Sequence, residues 1–211
     1  MEIQQAYNIW ADQYDGNENK TRDLEASALR SCLADLQFEN CLELGCGTGK
    51  NTPFLMLKAN KITAVDFAEA MLEKARSKIN SKRVQFMHAD LTKEWGFAGS
   101  GYDLVTFSLV LEHIEDLQAV LKKSSAVMRA NGLLYIGELH PFKQYTGSKA
   151  KFTTSTGTNV LNCFNHHVSD FTNAAQNNGF RLLELAEYFD DDDRNAVPRI
   201  ISLMFRKGEG S

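Results

Sequence analysis

Between Cys41 and Asn51 the chain reads CLELGCGTGKN, a short apolar run followed by glycines at 45, 47 and 49. This stretch restricts the fold more than any other. Three glycines within five positions, directly after a strand-like run, make a turn in which bare backbone approaches something that side chains would hold off. Two kinds of ligand compete for it: a dinucleotide pyrophosphate, or a smaller molecule lying against the main chain. A dinucleotide loop has the form G-x-G-x-x-G. Gly45 and Gly47 fit that form, but Lys50 occupies its third glycine slot and Gly49 comes one position early. Glu43, within the apolar run, is unwelcome beside a phosphate and well suited to a cation. The ligand without a pyrophosphate is the better match.

From residue 40 onward strand-like and helix-like stretches alternate. CLEL, KITAVD, RVQFMHAD, YDLVTFSLVL and GLLYIGEL read as strands. Between them GKNTPFLMLKAN, AEAMLEKARSKI and DLQAVLKKSSAVMR read as helices, the last one ended by Asn131-Gly132 as a C-cap. Such alternation predicts an α/β fold with an open, mostly parallel sheet and helices on both faces. Right-handed crossovers then bring the C-terminal ends of the parallel strands to one rim, where ligands bind. Residues 1–36 read as helical. Residues 140–168 are polar and glycine-spotted, longer than an ordinary connection. A helix capped by Ser169 or Asp170 and the strands RLLELAEYF and RIISLMFR complete the chain. At 211 residues this is one domain.

Composition narrows the function classes. The chain is 43% hydrophobic with a formal net charge of −4 and no Lys/Arg run, which argues against a nucleic-acid partner. Its four cysteines, Cys32, Cys41, Cys46 and Cys163, form no C-x-x-C pair, so neither a disulfide framework nor a metal site is expected. The first residues carry early acid and no apolar core of a signal peptide, and nothing approaches a membrane span. The expected location is the cytoplasm.

ELGCGTG, followed by AVDFAEAMLEKAR, HADL and YDLVTFSLVLEHIED, resembles the class I S-adenosylmethionine (SAM) methyltransferases, in particular the small-molecule group that includes the ubiquinone and menaquinone biosynthesis enzymes. The likeness covers residues 7–137 and fades beyond. It implies a single Rossmann-like three-layer sandwich, with a mostly parallel seven-stranded sheet and an antiparallel last strand. In that frame residues 40–139 are the cofactor-binding half, 1–36 a helical cap, 140–168 a substrate-side insertion, and 169–207 a closing helix and strand pair. The cofactor implied is SAM, with S-adenosylhomocysteine (SAH) as product.

The resemblance also implies roles for individual residues. Gly45, Gly47 and Gly49 bring backbone to the methionine part, and Glu43 orients amide groups of the loop or meets the amino group and sulfonium. Asp66 accepts the ribose hydroxyls, or alternatively serves only to cap the helix that follows. Phe67 and Met71 pack on adenine or belong to the core. Asp90 and the Leu91 amide read the adenine edge, unless Asp90 is a turn residue. Ser108 and the next three residues lie under the sulfonium. Tyr7 and Tyr14 line the reaction site from the N-terminal helix, or bury themselves with Trp10 as its apolar face.

Methyl transfer turns a sulfonium into a neutral thioether, so positioning and water exclusion can do much of the work. A base is needed only if the acceptor arrives protonated. His140, His166 and His167 are the candidates, since histidine titrates near neutrality; each could equally be a hydrogen-bonded structural residue. The Asp190–Asp193 run reads as a solvated loop; the antiparallel last strand that the resemblance implies would bring it to the ligand rim, where it could instead attract an amine or repel acidic acceptors. The expected partner is a small-molecule acceptor, with O-methylation favoured over N-methylation. A binding protein without chemistry and a nicotinamide oxidoreductase remain as alternatives.

Overall fold

The computed structural model describes residues 3–16, 18–148, 151–154, 157–161 and 163–209. Helices α1 (Ile3–Tyr14) and α2 (Lys20–Cys32) precede strand β1 (Phe38–Leu44). Then come α3 (Thr52–Lys58), β2 (Ala59–Asp66), α4 (Glu69–Lys78), β3 (Val84–His88), β4 (Tyr102–Ser108), α5 (Leu117–Val127) and β5 (Met128–Leu139). After β5 come α6 (Pro141–Tyr145) and a separate antiparallel hairpin of β6 (Lys151–Thr154) and β7 (Gly157–Val160). Helix α7 (Val168–Asn177) leads into β8 (Phe180–Tyr188) and β9 (Ile200–Lys207).

Seven strands form one sheet in the order β3-β2-β1-β4-β5-β9-β8, and β9 runs antiparallel to both of its neighbours. The α/β fold and its antiparallel last strand therefore stand as expected. The central strands read as unbroken apolar runs because both faces are covered by helices. Leu104, Val105 and Phe107 of β4 are fully buried. Since β9 is antiparallel, it begins where the parallel strands end: Leu139 pairs with Ile200. Arg199 and the loop from Phe189 thus reach the rim formed by Leu44, Asp66 and Ser108.

Three local readings are corrected. Helix α3 does not open at the glycines but begins at Thr52, because residues 45–51 are spent on the loop. Asn131-Gly132 is not the cap of α5: that helix ends at Val127, and the pair lies inside β5. There Asn131 adopts a left-handed φ of 62° within a bulge that shifts the pairing with β4 between Tyr102 and Leu104. Helix α7 is capped by His167 rather than Ser169 or Asp170; Asp170 returns a bond to the His167 N–H at 2.7 Å, completing a capping box.

Helix α1 lies across α4. Ala6, Trp10 and Ala11 bury against Ala68 and Met71, which is why apolar residues recur at helical spacing in that segment.

Candidate active site

The glycine loop is hung from β2. The Gly45 and Cys46 N–H groups donate to the Val65 carbonyl at 2.8 and 3.0 Å, and the Gly47 N–H donates to Asp66 Oδ2 at 2.8 Å. Gly45 and Gly47 have φ of 74° and 53°, a region that favours glycine. Their surroundings differ. A Cβ on Gly45 would stand 2.6 Å from Val110, whereas one on Gly47 would meet nothing within 4 Å. Gly47 borders a space that a ligand can fill; Gly45 makes room for the loop after β4.

Two clefts meet here. One is lined by Asp66, Phe67, Asp90, Leu91 and His113, the other by Tyr14, Glu25, Glu43, Gly47 and Ser108, and Gly45 and Leu109 border both. Their volumes, about 80 and 50 Å³, lie well below the roughly 300 Å³ of a small-ligand pocket, so a ligand of ordinary size would have to part the walls.

The carboxylates of the first cleft are fixed by backbone. Asp66 Oδ1 accepts from Ala68 N at 2.9 Å while Oδ2 holds Gly47 N. Each oxygen keeps a further lone pair, as two ribose hydroxyls require. Burial raises the Asp66 carboxyl above its usual range, against the pull of those N–H groups. Asp90 accepts from Thr92 N and Thr92 Oγ1 with Oδ1. Its role as a turn residue and its place on the cleft wall coexist.

In the second cleft the carboxyls are buried together. Glu43 accepts from Thr52 Oγ1 at 2.6 Å and is pushed up to about 8, first by burial and then by neighbouring Glu25 and Asp66. Glu25 bonds Asn51 Nδ2, the Tyr135 hydroxyl and Ser108, and burial lifts it to about 7. Carboxyls this close and this dry resist ionising together, and a cation brought among them relieves that.

The loop after β4 closes both clefts. Leu109 has a φ of 55°, uncommon for a residue with a Cβ. Its N–H bonds the Gly137 carbonyl at 2.8 Å. Glu138 Oε1 accepts from Val110 N at 2.9 Å and Leu111 N at 2.7 Å, and burial lifts this carboxyl to about 8. On the opposite wall the Tyr7 hydroxyl meets His113 Nε2 at 2.8 Å, joining α1 to the loop.

A third and larger cavity, about 610 Å³, opens beyond Leu109. Trp10, Tyr14, Arg22, Glu112, Leu139 and Arg199 are among its walls. The expectation of a histidine base is not met there, because none of the three candidates lines this cavity among the described residues. His140 Nδ1 caps α6 by accepting from Phe142 N, and its Nε2 faces Glu187 at 3.1 Å. His166 Nε2 is bonded to the Ile114 carbonyl at 2.8 Å and packs edge-on against Phe171. His167 caps α7 and meets the Tyr145 hydroxyl at 2.6 Å. Met71 is likewise corrected from adenine contact to core: it is 1% exposed, beneath α1. Tyr14, Glu43, Gly45, Gly47, Asp66, Phe67, Asp90, Leu91 and Ser108 do border the two clefts. Gly49 lies just outside them, where a Cβ would strike Ile79 at 2.9 Å.

Four site residues escaped the sequence reading: Arg22, Glu25, Glu112 and Glu138. Arg22 and Glu25 share the buried stripe of α2 with Ala26 and Leu29, and charges at i and i+3 of an apolar stripe are the signal that marks them. Glu112 precedes His113 in the motif that carries the family likeness. For Glu138 the signal was a charge at the end of an otherwise apolar strand.

Comparison with known proteins agrees with this geometry. Residues 42–136 match the family model described as a methyltransferase domain. A demethylmenaquinone methyltransferase from Clavibacter sepedonicus is 31% identical over 112 residues, which are 53% of this chain and 45% of that protein. A ubiquinone biosynthesis O-methyltransferase from Coxiella burnetii is 27% identical over 161 residues, 71% of this chain and 67% of that protein. The chain spans about half the length of the first curated relatives it matches, from 45 to 57%. The solved structure of the N-methyltransferase NodS from Bradyrhizobium japonicum, in complex with SAH, aligns over 99% of this chain and 100% of its own, with a TM-score of 0.73. At 16% identity that likeness is one of fold. Residues 42–136 thus resemble a methyltransferase domain, and the fold is one shared with S-adenosylmethionine-dependent methyltransferases of known structure.

Proposed function

We propose that the protein binds SAM across the two small clefts and catalyses O-methylation of a small molecule seated in the large cavity. The observation that carries this reading is the meeting of all three spaces at Leu109, which borders each of them. Asp90 and the Leu91 amide would hold adenine, Asp66 the ribose, and Glu43 with the Gly47 backbone the methionine part. When bound, SAM supplies a methyl group on a sulfonium and departs as SAH.

The chain's own contribution is to orient, to exclude water and to accept a proton. Tyr14 borders both the second cleft and the large cavity, so it walls the place where methyl donor and acceptor meet. Glu112 replaces the histidines as the base. It lines the acceptor cavity, is 7% exposed, and its Oε2 has no hydrogen-bond partner. Burial raises its carboxyl above the usual range, against the pull of His113 and of a hydrogen bond from Cys163, a direction that suits a group taking a hydroxyl proton. Lys20, Arg22 and Arg199 on the same walls are cations and cannot serve in that role.

The alternatives are less well supported. A binding protein without chemistry has no use for an open cavity beside the sulfonium. A nicotinamide enzyme requires its third glycine where Lys50 stands, tied to Asp23. Calorimetric titration with SAM, SAH and NADH separates these readings: SAM and SAH should bind and NADH should not. Binding of NADH alone removes the proposal. Incubation with labelled SAM and a metabolite extract should then label a small molecule, and a blank result across a broad extract favours the binder.

A further inference from the structure

The acceptor cavity is chemically lopsided. Its inner wall, beside the methyl-donor clefts, is made of Trp10, Leu109, Leu139 and the buried Glu112. Its outer wall begins with the first turn of α2, where Lys20, Thr21 and Arg22 all line the space. Arg199 arrives there from the start of β9 and donates to Thr21 Oγ1 at 3.1 Å. Three cationic side chains thus gather at the first turn of a 13-residue helix, the end whose dipole favours negative charge.

Arg22 is held by the Tyr14 carbonyl and ring, whereas Arg199 and Lys20 keep donors for an occupant. Asp190 grips Arg199 through Nε and Nη2, both at 2.5 Å. A guanidinium has five N–H donors; those two bonds and the one to Thr21 leave two more. The nearest carboxylate to Lys20 is Asp191 at 3.9 Å, and both side chains are largely in solvent, so the pair is weak. At the other end, the partnerless Oε2 of Glu112 independently points to an occupant that donates a hydrogen bond to it.

We infer that the acceptor is an amphiphilic anion: a carboxylate or phosphate group held by Lys20, Thr21 and Arg199 at the outer wall, with its hydroxyl directed inward to Glu112. The assignment rests on the methyltransferase reading and adds the class of substrate to it. In the reaction the acceptor O–H bond gives its proton to the Glu112 carboxylate while oxygen bonds to the methyl carbon. The carbon–sulfur bond breaks with its electron pair going to sulfur. The anionic end takes no part in bond-making; it fixes which hydroxyl faces the donor, as remote charge pairs do in other enzymes.

The test is calorimetry on the SAH-saturated protein at constant ionic strength, with benzoate, phenyl phosphate and the neutral benzamide as probes. At least one anion should bind saturably at one site, roughly tenfold or more tighter than benzamide. Preference for phenyl phosphate points to a phosphate ester as acceptor, and preference for benzoate to a carboxylic acid. Lys20→Gln should weaken the preferred anion several-fold and leave SAH affinity unchanged, because Lys20 borders neither small cleft. Arg199→Lys should do the same; if it disturbs folding, Lys20→Gln decides alone. Benzamide binding as tightly as the anions, no saturable anion binding, or anion binding indifferent to Lys20→Gln each overturns the inference. SAH titration of the same sample reports the cofactor reading separately, so the two can fail independently.

Discussion

The two ends of the cleft are held in opposite ways. At the end of the two small clefts, three carboxylates are fixed by backbone N–H groups, Asp66 by Gly47 and Ala68, Asp90 by Thr92, and Glu138 by Val110 and Leu111, while Glu43 and Glu25 between them are held by side chains. At the acceptor end, side chains hold one another: Asp190 on Arg199, and the Arg22 guanidinium 4.0 Å over the Tyr14 ring. Backbone-held groups are set by turns within a few residues of themselves or on the adjacent strand. Side-chain pairs join segments far apart in the chain, as with Arg199 and Thr21 at 178 positions' separation. A local motif therefore reports the first kind and is silent on the second.

The contrast can be broken by removing its anchors. Asp66→Ala should have the largest effect, because it takes away both hydroxyl acceptors and frees the Gly47 amide. With charged hydrogen bonds each contributing roughly 1.5–3 kcal/mol, SAH affinity should fall about a hundredfold or more in calorimetry. An unchanged isotherm would remove Asp66 from the ribose site.

Glu138→Ala should follow. It leaves the Val110 and Leu111 amides without acceptors in a buried setting, at about 1–3 kcal/mol for each unsatisfied group. Denaturant unfolding should show a loss of about 2 kcal/mol or more, with weaker SAH binding, since Val110 and Leu109 border the clefts. Full stability in this variant would mean that the loop after β4 needs no staple.

A pH series sharpens the comparison at Glu43. Its folded carboxyl sits at about 8, against about 4.3 in an unfolded chain. From about pH 4.5 to 8 the unfolded state has released this proton and the folded state keeps it, so stability declines as pH rises through that window. Glu43→Gln should flatten the decline in the melting temperature of the ligand-free protein. Parallel slopes for variant and parent would show that Glu43 carries no such linkage.

The smallest effect is expected at the acceptor side. His167→Ala should cost about 1 kcal/mol, the ordinary loss for a helix cap, read as a lower midpoint in urea. SAH affinity should stay constant, as His167 borders neither cleft. A loss of cofactor binding here would join the two ends energetically and dissolve the distinction drawn above.

The same distinction accounts for what was legible in the sequence. Alternating apolar runs and helix formers made the order of strands from β1 to β5 legible, and the glycine spacing marked the loop that borders the two small clefts. Asn131-Gly132 misled because a left-handed residue serves a strand bulge as well as it serves a helix end. The histidines misled because titration near neutrality says nothing about which nitrogen is already bonded; His140, His166 and His167 each have a structural partner. The antiparallel last strand was expected, but nothing local in the sequence distinguishes Arg199 at its start; its pairing with Asp190 and Thr21 is tertiary. Lys20 and Arg22 on α2 required the tertiary packing that brings the first turn of that helix to the rim.

Leu109 has a consequence for how such a molecule changes over time. One side chain, in an uncommon backbone state, forms part of three separate walls. A substitution there that reshapes the large cavity also reshapes both small clefts. Diversification is therefore channelled toward the first turn of α2, the start of β9 and the segment after β5, which can vary while this shared corner is kept.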